Sequence, residues 1–362
     1  MCSLLFIEKY YEVDAMSKKI RVLIVDDSML FREVLQRGLS SDPSIEVVAT
    51  ANDPFEARDM IISTKPDVMT CDVEMPKMNG IDFIRKLMPQ YPLPIIVVSS
   101  TSGTVFDAMN AGAVEFVGKP DLTSVNSVEN FINDLIMKIK IAANAKVRTF
   151  HDIQGRKIEN RVTADRKKLI AIGASTGGTE AIYTIIKELP PDTPGVVIVQ
   201  HIPPNFSRMF ADRLNNSTNL VVKEAKTGDY VEQGHVLIAP GDQHMTLRRI
   251  GERYKVECYI GERVNGHCPS VDVLFASVAK EAGRDAVGVI LTGMGYDGAK
   301  GLLAMRKKGA RTLGQDEKSC VVYGMPKVAF NIGAVEKQCS LDNMSYNIVN
   351  MLNETSEGSR SL

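Results

Sequence analysis

Three side chains able to perform hydrolysis follow predicted strands in the second half of the chain. Ser175 lies in the sequence GASTG (173–177), which matches the G-x-S-x-G pattern of a strand-to-helix turn that exposes a serine hydroxyl. His201 comes directly after the strand VVIVQ, and Asp297 follows the strand AVGVILT. A serine nucleophile, a histidine base and a carboxylate that orients the imidazole form a hydrolytic triad. Their chain order, Ser…His…Asp, differs from the chymotrypsin and α/β-hydrolase orders, so neither of those folds is expected.

A glycine-rich turn is weak evidence by itself, because such turns also bind phosphates. A dinucleotide-binding turn has glycine where Ser175 stands and an acid at the end of the next strand, where this chain has Gln200 and His201. Nucleotide binding is therefore disfavoured. The other histidines lie in linker or loop contexts, where a lone histidine is usually structural or exposed: His151, His235, His244 and His267.

A second group of polar side chains follows predicted strands in the first half. Asp26 and Asp27 follow the first strand, and Asp72 follows the third. In an open parallel sheet these strand ends are neighbours, so the acids can converge. Three close carboxylates repel one another and favour a hard divalent cation such as Mg²⁺. Ser99 ends the fourth strand and Lys119 the fifth, so a hydroxyl and an ammonium are expected at the same edge.

Alternating strand and helix patterns must position both groups. In residues 20–141, five apolar runs alternate with helical patterns, which predicts a parallel, doubly wound sheet. A second α/β pattern occupies 168–352, with a small antiparallel insertion expected within 228–262. The segment 142–167 is basic and weakly periodic, typical of a solvated linker, with a docking segment as the alternative. Residues 1–19 and 353–362 are predicted to be a disordered extension and a flexible tail.

Composition excludes several classes of protein. The net charge of −1 gives no reason to expect nucleic acid as a partner. No apolar run approaches the roughly 18 residues that a membrane span requires, so no direct insertion is expected. The opening MCSLLFIEKYYEVDA lacks the features of a secretory signal, and Met16 is an alternative start to Met1. The six cysteines form no CxxC pair, which indicates idle thiols in a reducing cytoplasm.

The ordered set of acid pair, central Asp, hydroxyl and Lys-Pro in 20–141 resembles the response-regulator receiver family, whose fold is flavodoxin-like. The resemblance implies that Asp72 is the phosphoacceptor. It also implies that Mg²⁺ is bound by Asp26, Asp27, Asp72 and the carbonyl of Glu74. Ser99 and Lys119 would contact the phosphoryl group, and Phe116 would be the aromatic switch residue. Family members often have Thr where this chain has Ser99, and Tyr where it has Phe116. Because Phe116 lacks the tyrosine hydroxyl, the switch is expected to rely on packing.

The stretch 168–350 resembles the chemotaxis protein-glutamate methylesterase family. Six motifs carry this resemblance in order: AIGASTGGTEA, VVIVQHIP, IAPGDQHM, PSVDVLFASVA, LTGMGYDGA and QDEKSCVVYGMP. It implies Ser175 as nucleophile, His201 as base and then acid, Asp297 as orienter and the Met294 backbone N–H as oxyanion donor. Thr176 and Gly178 would shape the pocket, and no cofactor is expected for this half. The side chains of 269–279 are expected to be helix core and not active site.

Together the resemblances imply a phosphorylation-activated methylesterase and glutaminase acting on methyl-accepting chemoreceptors. The expected partners are a chemotaxis histidine kinase as phosphodonor and the cytoplasmic helical region of the receptors as substrate. A cytoplasmic monomer is expected, in which the unphosphorylated receiver covers the Ser175 edge. Two alternatives remain: a DNA-binding output, disfavoured by the absence of a basic helical stripe, and a regulated protein whose second half is inactive or acts on other acyl groups.

Overall fold

A computed structural model describes residues 18–147, except 101 and 122, and residues 167–354. The chain divides into two compact units, the first ending at Asn144 and the second beginning at Ala145. Most of the predicted extension, most of the predicted linker and most of the predicted tail lie outside the described residues, as does His151.

The N-terminal unit is a parallel sheet in the spatial order β2-β1-β3-β4-β5. Its strands are β1 (Ile20–Val25), β2 (Ile45–Ala51), β3 (Val68–Asp72), β4 (Ile95–Ser99) and β5 (Glu115–Gly118). The helices are α1 (Met29–Leu39), α2 (Pro54–Thr64), α3 (Gly80–Leu87), α4 (Val105–Asn110) and α5 (Val125–Ala142). This arrangement confirms the predicted five-stranded, doubly wound sheet.

Local sequence explains how this unit presents its strand ends. The last four residues of strand β1 are all apolar and buried, as expected for a strand covered on both faces. Helix α1 then begins after Ser28, whose hydroxyl accepts a hydrogen bond from the Phe31 N–H at 3.3 Å. Because β1 pairs with both β2 and β3, the acids that follow β1 lie beside the end of β3.

The C-terminal unit contains a larger parallel sheet in the order β14-β13-β12-β6-β7-β9-β8. Its strands are β6 (Leu169–Ala174), β7 (Val196–Gln200), β8 (Val221–Glu224), β9 (His235–Ile238), β12 (Ala286–Ile290), β13 (Arg311–Gln315) and β14 (Lys337–Cys339). The helices are α6 (Gly178–Glu188), α7 (Phe206–Ser217), α8 (Val271–Glu281), α9 (Ala299–Lys307), α10 (Met325–Asn331) and α11 (Met344–Asn353). The predicted second α/β sheet is therefore confirmed.

The expected antiparallel insertion is the pair of β10 (His244–Ile250) and β11 (Arg253–Tyr259). Both strands lie within the predicted range of 228–262, although the pattern of β10 is hard to recognise in the sequence. Met245 and Leu247 do alternate inward, with exposed fractions of 0% and 1%, but Arg248 and Arg249 follow at once and conceal the pattern. Helix α8 lies beside this pair and buries Leu274, Phe275 and Val278 completely, in line with the predicted helix core.

Among the helices of the described ranges, none is both long enough and apolar enough to cross a membrane.

A glycine at the start of α3 packs directly on the end of β3. A Cβ at Gly80 would lie 2.0 Å from the Asp72 carbonyl oxygen and 3.0 Å from the Val73 Cα. We expect Gly80→Ala to shift this backbone and to lower the free energy of unfolding of the N-terminal unit by about 1–3 kcal/mol. Urea unfolding of the full chain measures this loss, with Gly103→Ala as control, since a Cβ there meets none of the described residues within 4 Å. Equal stability of the two variants would contradict the close approach.

Candidate active site

Ser175 lies in the turn between β6 and α6, as the sequence pattern predicted. Its N–H donates to the Thr292 carbonyl at 3.0 Å, and its carbonyl accepts from the Gly178 N–H at 2.7 Å and from Gln200 Nε2 at 2.9 Å. Gly177 has a φ of 76°, a left-handed conformation that glycine adopts without strain. The backbone that carries the serine is therefore held from three directions.

His201 lies beside Ser175 because of the strand register. Strands β6 and β7 are parallel neighbours that pair Ala174 with Gln200, so the next residue of each emerges at the same edge. The His201 N–H also donates to the Ala174 carbonyl at 3.1 Å. The two residues therefore emerge at the same edge of the sheet, and the meeting of hydroxyl and imidazole stays a prediction.

Asp297 joins this pair from the loop after β12. Its Oδ2 lies 2.9 Å from His201 Nε2, and the side chain is almost completely buried. The carboxylate therefore reaches the imidazole across one intervening strand end, because β6 lies between β12 and β7 in the sheet.

The Asp297 carboxylate accepts several further hydrogen bonds. Oδ2 accepts from the Val271 N–H at 2.7 Å, while Oδ1 accepts from Ser270 Oγ and Asn265 Nδ2, each at 2.8 Å. The Asp272 N–H adds a longer contact of 3.2 Å to Oδ1. Two of these donors are backbone N–H groups at the start of α8, where the helix favours negative charge. Burial opposes ionisation of Asp297, but the bonds from His201 and Asn265 outweigh it and hold its pKa below the usual value.

The two nitrogens of His201 have different surroundings. An ionised carboxylate only accepts hydrogen bonds, so Nε2, which faces Asp297, carries the proton. Nδ1 is buried and has no hydrogen-bond partner within the described part of the chain. The nitrogen with the available lone pair, the one suited to accept a proton, is therefore Nδ1.

The loop after β12 also brings backbone close to Ser175. A Cβ at Gly293 would lie 2.6 Å from the Ser175 Cβ, so only glycine fits this approach. The Gly293 carbonyl accepts from the N–H groups of Gly324 and Met325 at 3.1 and 2.8 Å, which anchors the loop. Met294 follows, with its side chain 37% exposed. Its role as an oxyanion donor stays a prediction.

Thr176 and Gly178 flank the serine in the same turn. Thr176 is buried, and its carbonyl accepts from Thr292 Oγ1 at 3.0 Å. A Cβ at Gly178 would lie 2.1 Å from Gln200 Oε1, so this glycine allows α6 to begin close to β7. Both contacts support the turn, and a role in shaping a substrate pocket stays a prediction.

Sequence reasoning missed the segment 264–272, which contacts both His201 and Asp297. Ser270, at the start of a stretch expected to be helix core, binds Asp297 through its hydroxyl. His267, expected to be an ordinary loop histidine, stacks on His201 with ring centroids 3.7 Å apart and planes at 11°. The Asn265-Gly266 pair was a readable turn signal, but nothing in the local pattern indicates which distant side chains that turn meets.

The N-terminal unit brings its predicted acids together at the sheet edge. One carboxylate oxygen from each of Asp26, Asp27 and Asp72 lies within 4.8 Å of the others. Lys119 Nζ lies 2.8 Å from Asp26 Oδ2 and 2.7 Å from Asp72 Oδ2. Burial raises the pKa of Asp72 despite the bond from Lys119. A cluster with three acids and one ammonium retains negative charge, which fits a hard divalent cation.

The remaining predicted residues of this edge lie on β3, β4 and β5 or just after them. The Glu74 N–H donates to Asp72 Oδ1 at 3.2 Å, which keeps that backbone beside the acid. Ser99 is buried at the end of β4. Phe116 is buried in β5, with its ring 6.2 Å from that of Phe106 in an edge-on contact. Their roles towards a phosphoryl group stay predictions.

The buried charge of Asp297 generates a pH-dependent prediction for stability. Since its pKa is lower in the folded than in the unfolded state, its ionisation stabilises the fold above the ordinary value near 3.9, and this contribution is lost as the pH falls below it. We therefore expect Asp297→Asn to be less stable than the parent protein at pH 6, with the difference shrinking as the pH is lowered from 4 towards 2. Urea unfolding across this range measures it. A difference that is constant or grows on acidification would contradict an ionised, hydrogen-bonded Asp297.

Comparisons with known proteins agree with this architecture. The family model "CheB methylesterase" matches residues 170–348, and the model "Response regulator receiver domain" matches residues 22–128. A protein-glutamate methylesterase/protein-glutamine glutaminase 2 of Syntrophomonas wolfei is 58% identical, over 93% of this chain and 99% of its own length. One from Syntrophotalea carbinolica is 53% identical over 94% of this chain and 99% of its own length.

Among solved structures, the CheB methylesterase catalytic domain of Thermotoga maritima is similar, with 34% identity and a TM-score of 0.50. The match covers 51% of this chain and 98% of that domain. With two curated relatives aligned over nearly their whole length, the chain belongs to the protein-glutamate methylesterase/protein-glutamine glutaminase family.

Proposed function

We propose that this protein is a phosphorylation-controlled hydrolase that demethylates glutamate methyl esters on chemoreceptors and deamidates receptor glutamines. The observation that carries the proposal is the His201–Asp297 pair beside Ser175, in which His201 Nδ1 is buried and has no hydrogen-bond partner among the described residues. Membership of the family supports the choice of a glutamate ester as substrate.

In the proposed reaction, Ser175 Oγ attacks the ester carbonyl while His201 Nδ1 takes the serine proton. Asp297, already ionised, stabilises the imidazolium and keeps Nε2 protonated. The tetrahedral oxyanion would receive a hydrogen bond from the Met294 N–H. Its collapse breaks the bond to the methoxy oxygen, which leaves as methanol with the proton from Nδ1. Water, deprotonated by the same nitrogen, then releases the glutamate carboxylate and regenerates the serine hydroxyl. With a glutamine substrate, ammonia leaves in place of methanol.

At the N-terminal sheet edge, Asp72 would be the phosphoacceptor. Asp26, Asp27, Asp72 and the Glu74 carbonyl would hold Mg²⁺, which when bound neutralises negative charge as the acyl phosphate forms. Lys119 contacts two of these acids and would pair with a phosphoryl oxygen. Ser99 would contact another, and Phe116 would change its packing on activation.

The proposed chemistry implies the partners. A chemotaxis histidine kinase would donate the phosphoryl group, and the cytoplasmic helical region of methyl-accepting receptors would be the substrate. Both place the enzyme in the cytoplasm, where we propose that it acts as a monomer.

The nucleophile is tested by Ser175→Ala. We expect methanol release from methylated receptor membranes to fall by at least about 10³-fold, because the alanine variant lacks the proposed nucleophilic hydroxyl. Phosphorylation of Asp72 by an acyl-phosphate donor should be unchanged in this variant, which confirms that the N-terminal unit is intact. Asp72→Asn is the reciprocal control, and should keep basal methanol release while losing phosphorylation. Turnover by Ser175→Ala near the parent rate would rule out this nucleophile.

Control by the receiver is tested by removing it. If the unphosphorylated receiver inhibits the hydrolase, a fragment beginning near residue 165 should release methanol faster than the full chain. An acyl-phosphate donor should raise the rate of the full chain but not of Asp72→Asn, because a phosphoryl group acts only through its different interactions with the two states. Equal rates for the fragment and the full chain, with and without donor, would exclude this regulation.

A further inference from the structure

A two-residue hairpin lies against the candidate triad. The N–H of Val264 donates to the His267 carbonyl at 3.0 Å, and the N–H of His267 donates back to Val264 at 3.0 Å. Asn265 and Gly266 form the turn between them with φ values of 54° and 84°. Asn-Gly is the pair that adopts two successive left-handed conformations most readily, so these four residues, here called the VNGH hairpin, are locally determined.

The turn residue Asn265 links two carboxylates. Its Nδ2 donates to Asp297 Oδ1 and to Asp272 Oδ2, each at 2.8 Å. Asp272 in turn accepts from the Gly301 N–H in the first turn of α9. The Asn265 amide therefore links Asp297, through Asp272, to helices α8 and α9. These bonds restrict rotation of the Asp297 carboxylate.

The last hairpin residue, His267, covers a face of the His201 ring. The rings are nearly parallel and in contact, with 3.7 Å between centroids. The hydrogen bond to Asp297 fixes only one edge of His201 and leaves rotation about that edge possible. A flat group stacked on the ring face blocks that rotation and so fixes the direction in which Nδ1 points.

His267 suits this position because it is uncharged at neutral pH. Burial and the neighbouring His201 lower its pKa to about 4; Arg263 adds to the effect and Asp297 opposes it. A neutral ring does not repel the imidazolium that His201 becomes during catalysis, and it does not take Asp297 away as an ion-pair partner.

We propose that the VNGH hairpin is a positioning element of the triad, in which Asn265 orients the Asp297 carboxylate and the His267 ring sets the plane of His201. The inference rests on the proposed Ser175–His201–Asp297 mechanism and extends it to two side chains that touch no reacting atom. This positioning is a form of preorganisation. A small misplacement of the base lowers kcat but leaves substrate binding unchanged.

The test compares two replacements of His267 in the full chain. We expect His267→Ala to lower kcat for methanol release by about 10- to 100-fold, with KM within about twofold of the parent value. His267→Phe keeps a flat ring and should recover most of the lost kcat. Asn265→Ala should lower kcat in the same way, because Asp297 loses a donor. His235→Ala is the matched control and should behave as the parent, since that histidine begins β9, at the sheet edge opposite His201, and its imidazole hydrogen-bonds the Gln233 carbonyl at 3.0 Å.

A spectroscopic measurement reports positioning without turnover. The proton between His201 Nε2 and Asp297 Oδ2 should give a far-downfield proton resonance in the parent and in His267→Phe. It should broaden through faster exchange in His267→Ala. Thermal unfolding of each variant shows whether the fold persists.

The possible outcomes separate this proposal from the mechanism on which it rests. If Ser175→Ala is inactive but His267→Ala keeps the parent kcat and resonance, the hairpin proposal alone is overturned. If the folded Phe variant is as slow as the Ala variant, ring stacking is not the cause and the proposal also fails. If Ser175→Ala remains active, the triad mechanism fails, and the downfield resonance still tests whether the hairpin orients His201.

Discussion

The catalytic unit depends on one buried charge, the carboxylate of Asp297. Burying an ion costs several kcal/mol unless its hydrogen-bonding capacity is met, so the surrounding donors are a condition for the fold as well as for chemistry. Two of those donors are backbone groups of α8, whose apolar face is also core. Formation of the core therefore assembles the support of the carboxylate, and the carboxylate then orients the imidazole.

In the acid cluster of the N-terminal unit, the pKa of a buried carboxylate again depends on the donors around it, but here the donors are fewer. Asp297 has more donors than it needs, and its pKa is lowered. Asp72 has one backbone N–H and one ammonium shared with Asp26, and burial raises its pKa. A carboxylate with surplus donors is a stable, permanent anion suited to orienting a neighbour. One with too few donors gains from further positive charge, which suits a site whose charge changes during signalling.

Much of both sites was predictable because it depends on strand ends. Apolar runs locate the strands, and parallel neighbours deliver their next residues to a common edge, so the adjacency of Ser175 with His201 follows from sequence, as does that of Asp26 with Asp72. The support of Asp297 was not predictable by this route. It comes from a hairpin and a helix start whose contacts depend on how α8 packs, and no local periodicity encodes that packing. For the same reason His267 has the local sequence of an ordinary loop histidine although it lies against His201.

The residues that support Asp297 lie in a different part of the chain from the triad, and this affects where the chain tolerates insertions and deletions. Among the described residues, the donors to Asp297 other than His201 come from a single continuous segment, 264–272. An inserted or deleted residue there would move hairpin, hydroxyl and helix start out of phase together, whereas the neighbouring β10–β11 turn at Gly251 has open space around it. Differences in length among relatives should therefore occur in the β10–β11 turn and not in the segment that begins at Val264.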